Sequence, residues 1–131
     1  MENSKIENPR IKYDEITDTL AVVFESGQPS MGVELTDNIL LRINPQTGHA
    51  VSLNLFNYSI LAQTTDIGSR SFPLTGLVAL SQSLQENILE ILQSKPVCDF
   101  LQLSAYTPSI TEVIPIILLR PMLPNDITAA A

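Results

Sequence analysis

Asp14, Glu15 and Asp18 form the first place in this sequence where chemistry could be housed, because clustered oxygens are what a divalent cation requires. Calcium, however, takes about six to eight oxygen ligands and its loops turn sharply on a glycine. The stretch Tyr13-Asp14-Glu15-Ile16-Thr17-Asp18-Thr19-Leu20 has few carboxylates and no glycine. Asp14 and Asp18 are therefore expected to make Asx-type turns that hold a first hairpin. His49 is the only histidine, so a histidine-based metal site or a Ser-His-Asp relay would have to be built around it alone. Its place directly after Gly48, at the exit of a turn, predicts an exposed turn-flanking side chain instead.

Gly68-Ser69-Arg70-Ser71 has the composition of a phosphate-binding loop but lacks the Gly-x-x-x-x-Gly-Lys spacing and a close strand, loop and helix frame. It reads as a polar loop. Cys98 is the only cysteine, which excludes an intrachain disulfide and a cysteine cluster for metal. With no cation obviously poised to form a thiolate, it is expected to be a small buried hydrophobe. Arg42 and Arg120 lie among apolar strand residues, where pairing with an acidic neighbour is expected. No catalytic, cofactor-binding or metal-ligating residue is assigned on these grounds, and no independent hydrolase or redox activity is expected.

Composition narrows the classes further. A chain of 131 residues fits one domain with a single core, so no internal boundary is expected within 1–131. Charged residues make up only 16%, against roughly 25% in an ordinary soluble domain, which tilts the chain toward burial against a partner or a second copy. The formal net charge of −7 opposes the phosphate neutralisation on which nucleic-acid binding depends. The polar opening Met1 to Asn8 lacks the apolar stretch of a secretory signal, and apolar runs such as Val113 to Leu119 are far short of the ~20 residues of a membrane-spanning helix. A cytoplasmic protein without membrane insertion is expected.

These residues must be positioned by short alternating strands. Ile11 and Tyr13 open one, and Leu20-Ala21-Val22-Val23-Phe24 returns as its hairpin partner. Met31 to Leu35 places Val33 and Leu35 on one face, and Ile39, Leu41 and Ile43 alternate with Leu40 and Arg42. Asn44-Pro45-Gln46-Thr47-Gly48 is a strong hairpin signal, since Pro45 presets φ and Gly48 supplies a left-handed position. Val51, Leu53 and Leu55 then share one face, Ser52 and Asn54 the other.

Residues 62–76 lose the apolar rhythm and read as a long loop. Ser83-Leu84-Gln85-Glu86 has capping-box spacing, and Leu84, Ile88, Ile91 and Leu92 follow on one stripe. Lys95 complements the dipole and Pro96 prevents extension, so a helix is expected at 84–94. Within 100–120, Leu101, Leu103 and Ala105 alternate as a strand, whereas Val113 to Leu119 is apolar on both faces and interrupted by Pro115, which cannot donate to a ladder. That implies an edge strand or a bulge, covered by another surface of the same chain or of a second copy. Residues 121–131 read as a loose tail, with Ala129 to Ala131 left open between native residues and a remnant.

The Tyr13-Asp14-x-x-x-Asp18-x-Leu20 pattern, followed by strands ending at Val51 to Leu55, resembles the bacterial domain family of unknown function numbered 2283. The resemblance covers residues 11–61. The chain carries Ser52-Leu53 where members often have Gly followed by Ile or Leu. The resemblance implies a β-rich module and brings no catalytic residue with it.

The expected fold is α+β, a twisted antiparallel sheet of about six strands with one amphipathic helix packed on its apolar face. The expected function is a non-catalytic protein-interaction or oligomerisation module, homo-oligomeric and acting as an accessory or regulatory subunit. A second class is an acidic, antitoxin-like partner that neutralises a basic protein, using the −7 charge. A third is a small-ligand-binding module with its pocket between the helix and the 62–76 loop, near Tyr58, Arg70 or Tyr106.

Overall fold

The computed structural model describes residues 9–65, 68–69, 71–109, 112–120 and 128–130. Strands β1 (Arg10–Asp14), β2 (Thr19–Val23), β3 (Met31–Thr36), β4 (Ile39–Ile43) and β5 (Ala50–Phe56) form the main sheet in the order β1-β2-β5-β4-β3, each pair antiparallel. The alternation of side chains decides which face is dry: Val33, Leu35, Ile39, Leu41 and Ile43 are buried, while Glu34 and Arg42 face out. The β4–β5 turn closes as its residues require. Asn44 Oδ1 accepts from the Gln46 amide at 2.9 Å, Gly48 N donates to Asn44 O at 2.7 Å, and Gly48 sits at φ 77°.

One strand face departs from simple alternation. The β4–β5 register passes from Arg42↔Ser52 to Ile43↔Ala50, so Val51 is bulged out of the ladder. Its carbonyl accepts from both Phe24 N and Glu25 N, at 2.8 and 3.1 Å. Ala50 therefore joins Leu53 and Leu55 in the core cluster in place of the expected Val51.

After β5 come a single turn α1 (Tyr58–Leu61), a small ribbon of β6 (Thr64–Thr65) with β7 (Gly68–Ser69), strand β8 (Ser71–Pro73) and a 3-10 turn at Thr75–Ala79. The expected 62–76 loop is thus largely structured. Helix α2 spans Gln82–Leu92, and its cap is Ser81, whose hydroxyl accepts from Leu84 N at 3.3 Å. The Ser83 capping box is overturned: Ser83 lies inside the helix, and Glu86 accepts from Gln82 Nε2 at 3.3 Å, one turn back. A 3-10 turn at Val97–Asp99 leads into β9 (Leu101–Ser109) and β10 (Glu112–Leu119).

The strands divide between two main sheets, not one. Beside the main sheet stands a three-stranded one, β8-β10-β9. Helix α2 has β9 and the Val97–Asp99 turn as its closest partners, so the expected packing on the apolar face of a single sheet is replaced by packing beside the second. One cluster of buried side chains draws on all of these: Leu20, Leu41 and Leu55 from the main sheet, Ile88 and Leu92 from α2, Leu101 and Ile117 from the second. The Phe24 and Phe100 rings, 5.9 Å apart, meet across the two sheets.

Strand β10 is central, paired with β9 on one side and with β8 on the other, which overturns the edge assignment of Val113 to Leu119. A register shift does occur in β10 between Glu112 and Ile114, but Pro115 itself pairs in regular register with Ala105. Pro115 fits a central strand for a geometric reason. Arg120 N donates to Phe100 O at 2.9 Å, which sets the even-numbered residues of β9 and β10 to bond one another and turns Pro115 toward β8. There its carbonyl accepts from Leu74 N at 3.1 Å, just past the end of β8, and the absent N–H is not needed. The tail is corrected in part: Thr128–Ala130 forms β11, parallel to β1, while 121–127 and 131 lie outside the described residues. Among the described residues no helix is long and apolar enough to cross a membrane.

Candidate functional site

The β1–β2 turn is the most heavily cross-braced segment that the sequence singled out. Asp14 Oδ1 accepts from Ile16 N at 2.9 Å and from Thr17 N at 3.4 Å, which is the Asx-type closure its residue type allows. Asp18 acts over a longer range. It stands in the left-handed region at φ 54°, and its carboxylate accepts from the Tyr13 hydroxyl at 2.6 Å and from the Ser59 hydroxyl at 2.7 Å. The Ser59 amide donates to the same carboxylate at 3.1 Å, and Tyr58 N donates to Asp18 O at 2.9 Å. The turn is thereby tied to α1. Tyr13 and Tyr58 rings lie 6.0 Å apart in a tilted arrangement. Ser59 carries no signal that would tie it to Asp18 in the sequence, because the link spans 41 positions.

Protonation of this latch has a defined sign. The Tyr13 hydroxyl, and then Ser59, hold the Asp18 carboxyl below its ordinary 3.8. Its contribution to stability is fully present above that value and is lost as pH falls through the lower, folded one. The Tyr13 phenol, donating to Asp18, is pushed up to about 12 from 10.0. Its contribution is present below pH 10.0 and is lost as pH rises toward about 12. Melting temperatures of wild type and Tyr13→Phe should therefore differ by a constant amount at neutral pH and converge at both extremes. A difference that is the same at every pH would show that the hydrogen bond contributes nothing.

A second feature is a cleft of about 570 Å³ between the β4–β5 turn and the outer flank of α2, lined by Glu25, Gln46, His49, Asn87, Glu90 and Lys95 among others. His49 is exposed as expected, with Nδ1 3.2 Å from Glu25 Oε2, and Lys95 pairs with Asp99 at 3.1 Å. Glu25 and His49 meet because Glu25 N bonds to Val51 O, a register visible only once β2 is paired with β5. This cleft is on a different flank from the expected pocket beside residues 62–76.

The remaining residues are dispersed. Among the described residues Arg120 has no acidic partner, and its Nε donates to Cys98 O at 2.7 Å. Arg42 is exposed, and no ion pair among the described residues involves it. Cys98 is a free thiol, half-buried in the Val97–Asp99 turn where full burial was expected. Tyr58 is half-buried, and burial pushes its phenol up. The Gly68-Ser69 pair belongs to the β6–β7 ribbon, while Arg70 and the Tyr106 side chain lie outside the described residues. Among the described residues, no three or more His, Cys, Asp or Glu side chains are grouped to hold a metal ion. No protein-family profile, curated protein or solved structure matches the chain.

Proposed function

We propose that this chain is a non-catalytic interaction and oligomerisation module, an accessory subunit that docks on a partner through its β1–β2 turn. The observation that carries this reading is Ile16, 91% exposed at the apex of the turn that Asp14 and Asp18 brace. A large apolar side chain held in water on a rigid turn costs little ordering entropy when it enters a pocket. The half-exposed Phe56 and Ile60 lie at the same end of the sheet, since Phe56 pairs with Thr19 and Ile60 follows Ser59. Glu15 beside Ile16, within a chain of net charge −7, gives the partner's pocket a basic rim, which is how the acidic, neutralising class enters the same reading. Membership of the first half in family 2283 is proposed with it, supported by the bond between the Tyr13 and Asp18 of its motif.

Ile16→Asp tests this, because a fully exposed residue can change without disturbing the fold. The expected result is an unchanged melting temperature together with loss of a protein that the wild type retains from its native lysate, with retention falling as salt is raised. Equal retention by both proteins would remove the turn as the docking point. A second reading, a small-ligand module, is favoured by the cleft beside His49, which has the size of a ligand site and mixes carboxylate, imidazole, ammonium and amide groups.

A further inference from the structure

Among the described residues, the edges of the two main sheets are closed by recognisable devices, with one exception. Strand β3 is covered by the Thr75–Ala79 turn, which lies against its backbone at Glu34. Strands β8 and β11 are three residues each, short enough to be poor templates. Strand β9 is nine residues long and forms the outer edge of the second sheet. Its even-numbered residues bond to β10, so the N–H and C=O groups of Leu103 and Ala105 point outward. Among the described residues none bonds to them, and Ser104 and Ala105 are exposed. The strand also lacks charged gatekeepers, since Leu101-Gln102-Leu103-Ser104-Ala105-Tyr106-Thr107-Pro108-Ser109 contains no charged residue, and its one proline, Pro108, lies next to the end of the strand, away from Leu103 and Ala105.

We infer that β9 pairs antiparallel with β9 of a second copy, joining two three-stranded sheets into one across a two-fold axis. Outward groups alternating along one strand are self-complementary under such an axis, each N–H meeting the other copy's C=O. Charge selects a second copy over a foreign strand. A chain of net charge −7 repels itself over most of its surface, yet β9 brings no carboxylate to the contact. A basic partner drawn by the acidic surface finds no carboxylate on this strand to pair with. The inference rests on the oligomerising half of the proposed function and is independent of docking at Ile16.

Two variants of the full chain test it by light scattering across a concentration series. Ala105→Pro deletes an outward N–H without touching a bond to β10, and the extended Ser104 before it suits a proline. Ser104→Lys places two like charges across the two-fold axis. Wild type is expected to dimerise, with both folded variants weakening the dimer by at least about tenfold, the loss of one hydrogen-bonded contact. Should Ala105→Pro fail to fold, Ser104→Lys decides alone. A wild type that stays monomeric overturns the inference while leaving partner retention at Ile16 untouched. A dimer that survives in folded Ser104→Lys overturns it too.

Discussion

Ile117→Lys is expected to abolish the folded state of this protein instead of splitting an oligomer. The sequence alone makes Ile117 a candidate interface residue, since it lies in an apolar run that needs cover. In the structure the cover is internal: Ile117 is fully buried, opposite Leu103 on β9 and Phe72 on β8. Deleting a buried isoleucine side chain typically costs about 2–5 kcal/mol, and an unpaired ammonium in its place adds several more. Domains of this kind have about 5–15 kcal/mol in all. Circular dichroism of the variant should lack a cooperative melt, whereas Ile117→Val, which leaves the contacts mostly filled, should lose only about 0.5–1.5 kcal/mol. A folded Ile117→Lys would mean that the second sheet is not part of the core.

The same residue shows why the sequence was readable in one half and not in the other. Among β1 to β5 three of the four pairings, β1–β2, β3–β4 and β4–β5, join sequence neighbours, and for these local signals suffice: alternation names the faces, and Asn44, Pro45 and Gly48 set the turn; the β2–β5 pairing is the non-local one. In the second sheet α2 separates β8 from the consecutive β9 and β10, so the placing of β8 beside β10 depends on contacts no local pattern records. Pro115 looked like an edge residue because a missing donor is normally fatal inside a sheet. It is tolerated because β8 ends where the donor would be needed. Asp14 could be placed in its turn from residue type alone. Asp18 could not be tied to Ser59, nor Glu25 to His49, because both contacts follow from strand register and not from spacing.

Gly76→Ala should be the most damaging single-methyl change among the described glycines. The backbone of the Thr75–Ala79 turn passes so close to β3 that a Cβ at residue 76 would overlap the Glu34 carbonyl. The obstacle is main chain, held on its other side by the β3–β4 ladder, and it has no rotamer through which to yield. Either the turn lifts away, pulling the buried Leu77 and Leu74 out of the core, or β3 is displaced. Overpacking of this kind costs about 1–3 kcal/mol and occasionally more. Lifting the turn also uncovers the β3 edge, so a tendency to aggregate should accompany the lower melting temperature. Gly32→Ala is the matched control. Its nearest neighbour would be the flexible Leu40 Cδ1 at 3.2 Å, which can rotate aside, and Gly32 is itself exposed. Thermal melts of the two variants should therefore separate by several degrees, with Gly32→Ala close to wild type. Equal melting temperatures would mean that the Thr75–Ala79 turn does not rest on β3 in solution.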